Sequence, residues 1–263
     1  MTTQPITARP TVPTEITAAA LTTPLAASVA ARTLIRRLLV IAFILIPSSF
    51  VTNYAQMKLP DFFARDLLAN TFSLGSEANL PSAFSAIILW TAGALLWAIG
   101  RARKVQLDRY AGVWLGLSAV FAYLGLDEFA QLHDRTVPIL RTLLGSHATG
   151  GLKYTWILLF GPLTLIVFLA TIPFLRNLRA KTRNGMLLAG AIYLGGALGL
   201  EIVKGVVDEA YGFDSVPMLS LITVSESMEI FGVILFIATL LSYWREDLPG
   251  YRLLVGLREH DRA

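Results

Sequence analysis

The sequence predicts an all-α protein, a polytopic membrane bundle of six transmembrane helices with both termini in the cytoplasm. Three observations carry this expectation. The 263 residues are 55% hydrophobic and only 15% charged, with a mean hydropathy of +0.62, whereas a soluble domain is about a quarter charged. Six apolar stretches are long enough to cross ~30 Å of hydrocarbon, which takes about 20 helical residues. The basic residues gather at one set of connections. With the N-terminus inside, only Lys58, Arg65, Arg135, Arg141, Lys153 and Lys204 of the 22 Lys and Arg fall outside.

The composition also excludes some chemistry. There is no cysteine, so disulfides, thiolate metal sites and cysteine nucleophiles are ruled out. The net charge of +4 does not point to nucleic acid, because the bases sit at the ends of apolar segments, where topology signals belong. The expected partners are membrane lipids, together with other membrane subunits if the chain is an accessory protein.

Residues 1–31 are rich in Thr, Ala and Pro, with Pro5, Pro10, Pro13 and Pro24 along them. They read as a disordered cytoplasmic tail. The first apolar run begins near Leu34, behind Arg32, Arg36 and Arg37, too late for a cleavable signal and suited to an uncleaved anchor. A transmembrane domain is expected over residues 32–245, with spans at approximately 34–53, 82–100, 109–131, 152–175, 185–207 and 217–243. A second cytoplasmic tail, 246–263, follows. Arg101, Arg103, Lys104 and Arg109 separate spans two and three, and Arg176, Arg179, Lys181 and Arg183 separate four and five.

The longest outer connection, 54–81, contains Pro60 to Leu68, where proline and aspartate open a mixed aromatic and charged stretch. It reads as a short amphipathic helix, lying on the outer leaflet or capping the bundle. Gly112 and Gly116 on span three, and Gly195 and Gly199 on span five, have the four-residue spacing that permits close helix approach. Trp90, Trp97, Trp114, Trp156 and Trp244 read as interface anchors or lipid-facing packing.

The chemistry-bearing residues are acids within or at the ends of these spans. Asp127, Glu128 and Asp134 flank His133 on span three; Glu201 and Asp208 lie on span five; Glu226 and Glu229 lie on span six. Ionised groups cost roughly 2.5–3.5 kcal/mol even on the gentlest insertion scale, so they mark a polar site. At about 1.5 Å per residue, Asp127 lies ~28 Å from the start of its span and Glu201 ~24 Å from the start of its own. Glu226 and Glu229 lie ~26 and ~21 Å from the far end of span six. Three helices thus deliver carboxylates to one layer in the outer half of the bilayer. Asp208 and Glu209, like Asp134, also suit the aqueous boundary.

Such a cluster can be compensated in three ways. A divalent cation can sit among oxygen ligands, with Mn²⁺, Fe²⁺ or Ca²⁺ favoured over zinc because His133 alone supplies nitrogen. Lys204 and Arg135 can pair with the acids. The acids can also hold and pass protons. Pro47, Pro162 and Pro173 are scattered, and spans five and six carry no internal proline. Both therefore read as unbroken, which favours a one-sided site over alternating access.

The strings Leu126-Asp127-Glu128-x4-His133-Asp134 and Glu226-Ser227-Met228-Glu229-Ile230-Phe231-Gly232 resemble paired signatures of an uncharacterised group of bacterial multi-pass membrane proteins. In that group an Asp-Glu-x4-His-Glu string closes one helix and a Glu-x-Leu-Glu-x-x-Gly string lies in the last. Asp134 stands here in place of Glu, and Met228 in place of Leu. The resemblance covers spans three to six and implies a bacterial inner membrane, without implying a reaction. The expected site is Asp127, Glu128, His133, Glu201, Glu226 and Glu229, with Lys204 and Arg135 as ion-pair partners, serving transport or metal-assisted chemistry. The alternative is a non-catalytic accessory subunit whose acids are ion-paired.

Overall fold

The computed structural model describes residues 24–248, apart from the side chains of 24–28 and of Ser146. The described residues form helices and no strand: α1 Pro24–Lys58, α2 Arg65–Phe72, α3 Leu80–Val105, α4 Ala111–Ala130, α5 Val137–Leu144, α6 Ile157–Asn177, α7 Ala180–Leu194, α8 Glu201–Tyr211 and α9 Val216–Asp247. A π-helical turn, Gly195–Leu200, joins α7 to α8 without a break. Among the described residues six rods are long and apolar enough to cross a membrane: α1 from Val29, α3, α4, α6, the joined α7–α8, and α9.

The rods follow the expected spans, with differences at their ends. Helix α1 begins at Pro24, so residues 24–31 are helical; the rest of the expected N-terminal tail, and 249–263 of the C-terminal one, lie outside the described residues. Helix α2 starts five residues later than the Pro60 signal, at Arg65, because Ala64 adopts a left-handed conformation (φ 64°). It packs on α1 and, more lightly, on α3, while Phe63 and Leu67 remain exposed. The fourth rod begins at Ile157, since Gly150–Leu152 forms only a short 3-10 turn. The fifth span is unbroken, as expected, but it is not α-helical throughout: it widens midway at the π-helical turn. This sits in a glycine-rich stretch, Gly195-Gly196-Ala197-Leu198-Gly199, where backbone widening meets little side-chain resistance.

Helix α9 is the axis of the bundle and packs against α1, α3, α7 and α8. Its Ile230, Ile237 and Leu240 join Ile88, Leu96 and Ile99 of α3 in a core almost closed to solvent. Two glycines set the α7–α9 spacing. A Cβ at Gly196 would stand 2.6 Å from the Ser225 carbonyl oxygen, and one at Gly232 would stand 2.8 Å from the Tyr193 nitrogen. The spaced pair singled out in the sequence on span three does not act this way. A Cβ at Gly112 or Gly116 would meet nothing within 4 Å, because α4 turns its other face to α3.

Helix α6 is held chiefly by its ends. At one, Phe174 packs edge-on against Trp114 at 4.8 Å between ring centroids, and the Tyr110 hydroxyl donates to the Pro173 carbonyl at 3.1 Å. At the other, Phe160 lies 6.3 Å from the Tyr123 ring. Trp114 therefore belongs to the core, 1% exposed, and is not the interface anchor its sequence position predicts. Between its two attachments α6 stands off from its neighbours, leaving a cavity of about 1420 Å³ bordered by α4, α6, α7 and α9.

Candidate metal centre

The polar end of this cavity is built at the α4 terminus. Gln131 closes α4 in a left-handed conformation (φ 55°), and its N–H donates to the Asp127 carbonyl. The chain turns back on itself, which brings His133 over Asp127. The His133 backbone N–H donates to Asp127 Oδ1 at 2.7 Å, and the ring Nδ1 lies 2.9 Å from Oδ2. With a carboxylate as partner, Nδ1 is the donor and Nε2 is left facing outward. Nε2 lies 3.5 Å from Asp134 Oδ1 and 3.9 Å from Glu77 Oε1. Each of Glu77, His133 and Asp134 can thus offer one ligand atom, and those atoms lie within 4.8 Å of one another.

Glu77 was not anticipated from the sequence. It lies in the turn between α2 and α3, and that turn is firmly tied. Asn79 caps α3 by accepting from the Ser82 N–H, while its amide donates to the Ser73 and Ser76 carbonyls. The buried Ser49 hydroxyl of α1 accepts from the Leu74 N–H at 2.9 Å. Glu77 Oε2 is buried without a hydrogen-bond partner among the described residues, an arrangement that costs about 1–3 kcal/mol or more unless something fills it. A signal existed in the sequence: Glu77 is an isolated acid directly ahead of a span, at the same end as Asp127.

The electrostatics follow from this crowding. Burial lifts the Glu77 carboxyl to about 7, with Asp134, Asp127 and Glu226 adding to the shift and His133 opposing it. At His133, burial works against the imidazolium. The hydrogen bond and charge of Asp127, with Asp134 and Glu77 behind it, outweigh burial and raise the ring to about 9. Trp156 covers the imidazole at 5.0 Å between centroids.

Deeper in, Glu128 of α4 and Glu226 and Glu229 of α9 meet Ser85 of α3 and Tyr193 of α7 around a small pocket of about 10 Å³, the room of roughly one water. Ser225, fully buried beside them, donates to the Gly196 carbonyl at the π-helical turn. Glu201 and Lys204 follow that turn and form a buried ion pair with each other, both lining the large cavity. All six acid and histidine positions expected from the sequence line this cavity, but they divide into an outer group around His133 and an inner group around Glu226. The expected partner Arg135 does not join them. It is exposed, and it forms no ion pair among the described residues. Asp208 is used elsewhere, accepting from Tyr154 and pairing with Lys153 at 2.7 Å.

A family model described as a domain of unknown function, DUF8692, matches residues 37–244, and the chain belongs to that family. No curated protein and no solved structure matches it.

Proposed function

We propose that this DUF8692 membrane protein binds a divalent cation through Glu77, His133 and Asp134, with Asp127 orienting the imidazole. The observation that carries the reading is the geometry of His133: Nδ1 is engaged by a carboxylate while Nε2 faces two further carboxylate oxygens. Carboxylate-held histidine is the usual arrangement of metal-binding imidazole, since the outer carboxylate fixes the tautomer and strengthens the donor. The unpartnered Glu77 Oε2 points the same way. One nitrogen and two carboxylates suit Mn²⁺ or Fe²⁺ better than zinc, which takes more histidine, and better than Ca²⁺, which prefers oxygen alone.

In this reading the remaining coordination positions open onto the cavity. A bound cation there would polarise a substrate oxygen or activate water. The inner acids Glu128, Glu226 and Glu229 would then carry protons to and from it. The basic end of the bundle faces the cytoplasm of a bacterial inner membrane and the site faces outward, as the distribution of Lys and Arg favours. The rival reading, an accessory subunit with ion-paired acids, is supported by the Glu201–Lys204 pair. Among the described residues it leaves Glu77, Asp127, Glu128 and Asp134 without a lysine or arginine ion pair.

Elemental analysis of protein purified without chelator tests the proposal. Wild type should carry near-stoichiometric manganese or iron, and His133→Ala should carry neither. Metal-free wild type, or metal that survives in His133→Ala, would overturn it.

A further inference from the structure

The cavity is far larger than a cation requires. Its lining on α6 runs from Phe160 to Leu175, ~22 Å of helix. The carboxylates occupy one end only; the rest of the wall is mostly apolar, including Leu163, Phe168, Leu187 and Phe236, with Thr164 and Thr171 as polar exceptions on α6. Leu163, Phe168 and Leu187 line the cavity yet remain 50%, 42% and 39% exposed, so the α6 and α7 walls are open to the surroundings of the bundle. At the level of these spans those surroundings are hydrocarbon. Apolar space of this size, open to lipid, fills with chains and not with water, because water there would find no polar partners.

We propose that the cavity is a lipid-binding site, and that its ligand is a membrane lipid with an amine-bearing head. The chain lies between α6 and α7, and the head reaches Glu226 and Glu229. Charge selects the head. Seven carboxylates line the cavity against Lys204 and His133, and Lys204 is already paired with Glu201. An anionic head would be repelled by this lining. Lys204 is the one lysine whose charge reaches Glu226 and Glu229 in the described lining, and it is shared with Glu201. An ammonium group supplies the further positive charge, and pairing at low dielectric holds it. The proposal rests on the acid cluster of the preceding reading, but not on a metal within it.

Gly190 makes the test specific. It lines the α7 wall, and a Cβ there would meet nothing within 4 Å, so a side chain can be started at this position without a clash, and a bulky one takes up cavity volume. Full-length protein is reconstituted into vesicles of equal phosphatidylethanolamine and phosphatidylglycerol with identical chains. It is then re-extracted in mild detergent, and retained lipid and metal are both quantified by mass spectrometry. Wild type should retain the amine-headed lipid over the anionic one by about tenfold. Gly190→Trp should lose retained lipid of both kinds while keeping the metal content of wild type, with Gly190→Leu showing a smaller loss. Glu226→Gln/Glu229→Gln should keep lipid but retain the two heads about equally. Equal retention of both heads by wild type, or full retention by a folded Gly190→Trp, would overturn the lipid proposal. Absence of metal alongside selective lipid retention would overturn only the metal reading.

Discussion

The two ends of this bundle treat charge in opposite ways. At the basic end each described acid has a basic partner, although Asp247 Oδ2 is buried without a hydrogen bond. Asp108 meets Arg103 at 3.7 Å, Asp247 meets Arg179 at 3.2 Å, and Glu246 receives Lys181 at 2.5 Å together with Ser242 and Arg245. Arg103 also donates to the Tyr243 hydroxyl at 2.7 Å, beneath the ring cluster of Trp114, Phe174 and Tyr243. At the other end the acids outnumber the cations, and they surround open space in place of a packed aromatic core. Paired charges beside a closed core tie helices together. Unmatched acids beside a cavity call for a cation from outside the chain. The difference separates an end whose described charges are matched from an end where acids exceed cations beside open space.

The sharpest way to break this comparison is to damage the packed end. Trp114→Ala removes a side chain that is 1% exposed and should cost about 3–5 kcal/mol of stability. Thermal unfolding in detergent would register the loss, while metal content of the folded fraction stays at the wild-type level. A fall in both would mean that the two ends are not separable.

At the other end the expected signature is reversed. Asp127→Asn keeps the shape of the His133 partner but removes its charge. It should weaken metal binding by about 10–100-fold, the usual effect of losing an outer carboxylate. Melting in chelator should move little. Unchanged affinity would sink the assignment of His133 as ligand.

A pH series sharpens the contrast further. Metal must displace protons from Glu77, raised to about 7, and from His133, raised to about 9, so affinity should climb with pH across that interval and level off above it. The metal-free protein should show the opposite slope. Both pKa values are raised on folding, so the stability they contribute is fully present below the unfolded values, about 4.5 for Glu77 and 6.5 for His133. It is lost as pH rises through about 7 and about 9. Parallel slopes would contradict the site.

The smallest effect belongs to the surface pair at the basic end. Lys181→Ala breaks an ion pair whose lysine is 67% exposed and should change stability by under about 1 kcal/mol, with metal binding untouched.

Several acids that line the cavity were legible because charge inside an apolar span is rare and helical rise is regular. Those two facts singled out Asp127, Glu128, Glu201, Glu226 and Glu229, all of which line the cavity, but not their division into an outer and an inner group. Glu77 escaped because it lies in a connection, where an acid is unremarkable until the turn that holds it is known. Arg135 was misjudged for a related reason. It neighbours the site in sequence, but the 3-10 turn Asp134–Thr136 carries it outward.

By itself the sequence determined how many of the described helices can span a membrane, their approximate ends and which of them carry acids. These depend on hydropathy, on the distribution of bases and on rise per residue, all of which are local. Only the tertiary structure decided which glycines let helices touch, since Gly112 and Gly116 carry the right spacing while Gly196 and Gly232 make the close approaches. It alone divided the acids into an outer group around His133 and an inner group around Glu226, and opened a large apolar cavity beneath them. Spacing states which face of a helix a residue occupies. Which neighbour that face meets, and whether it meets one at all, is settled only when the whole bundle packs.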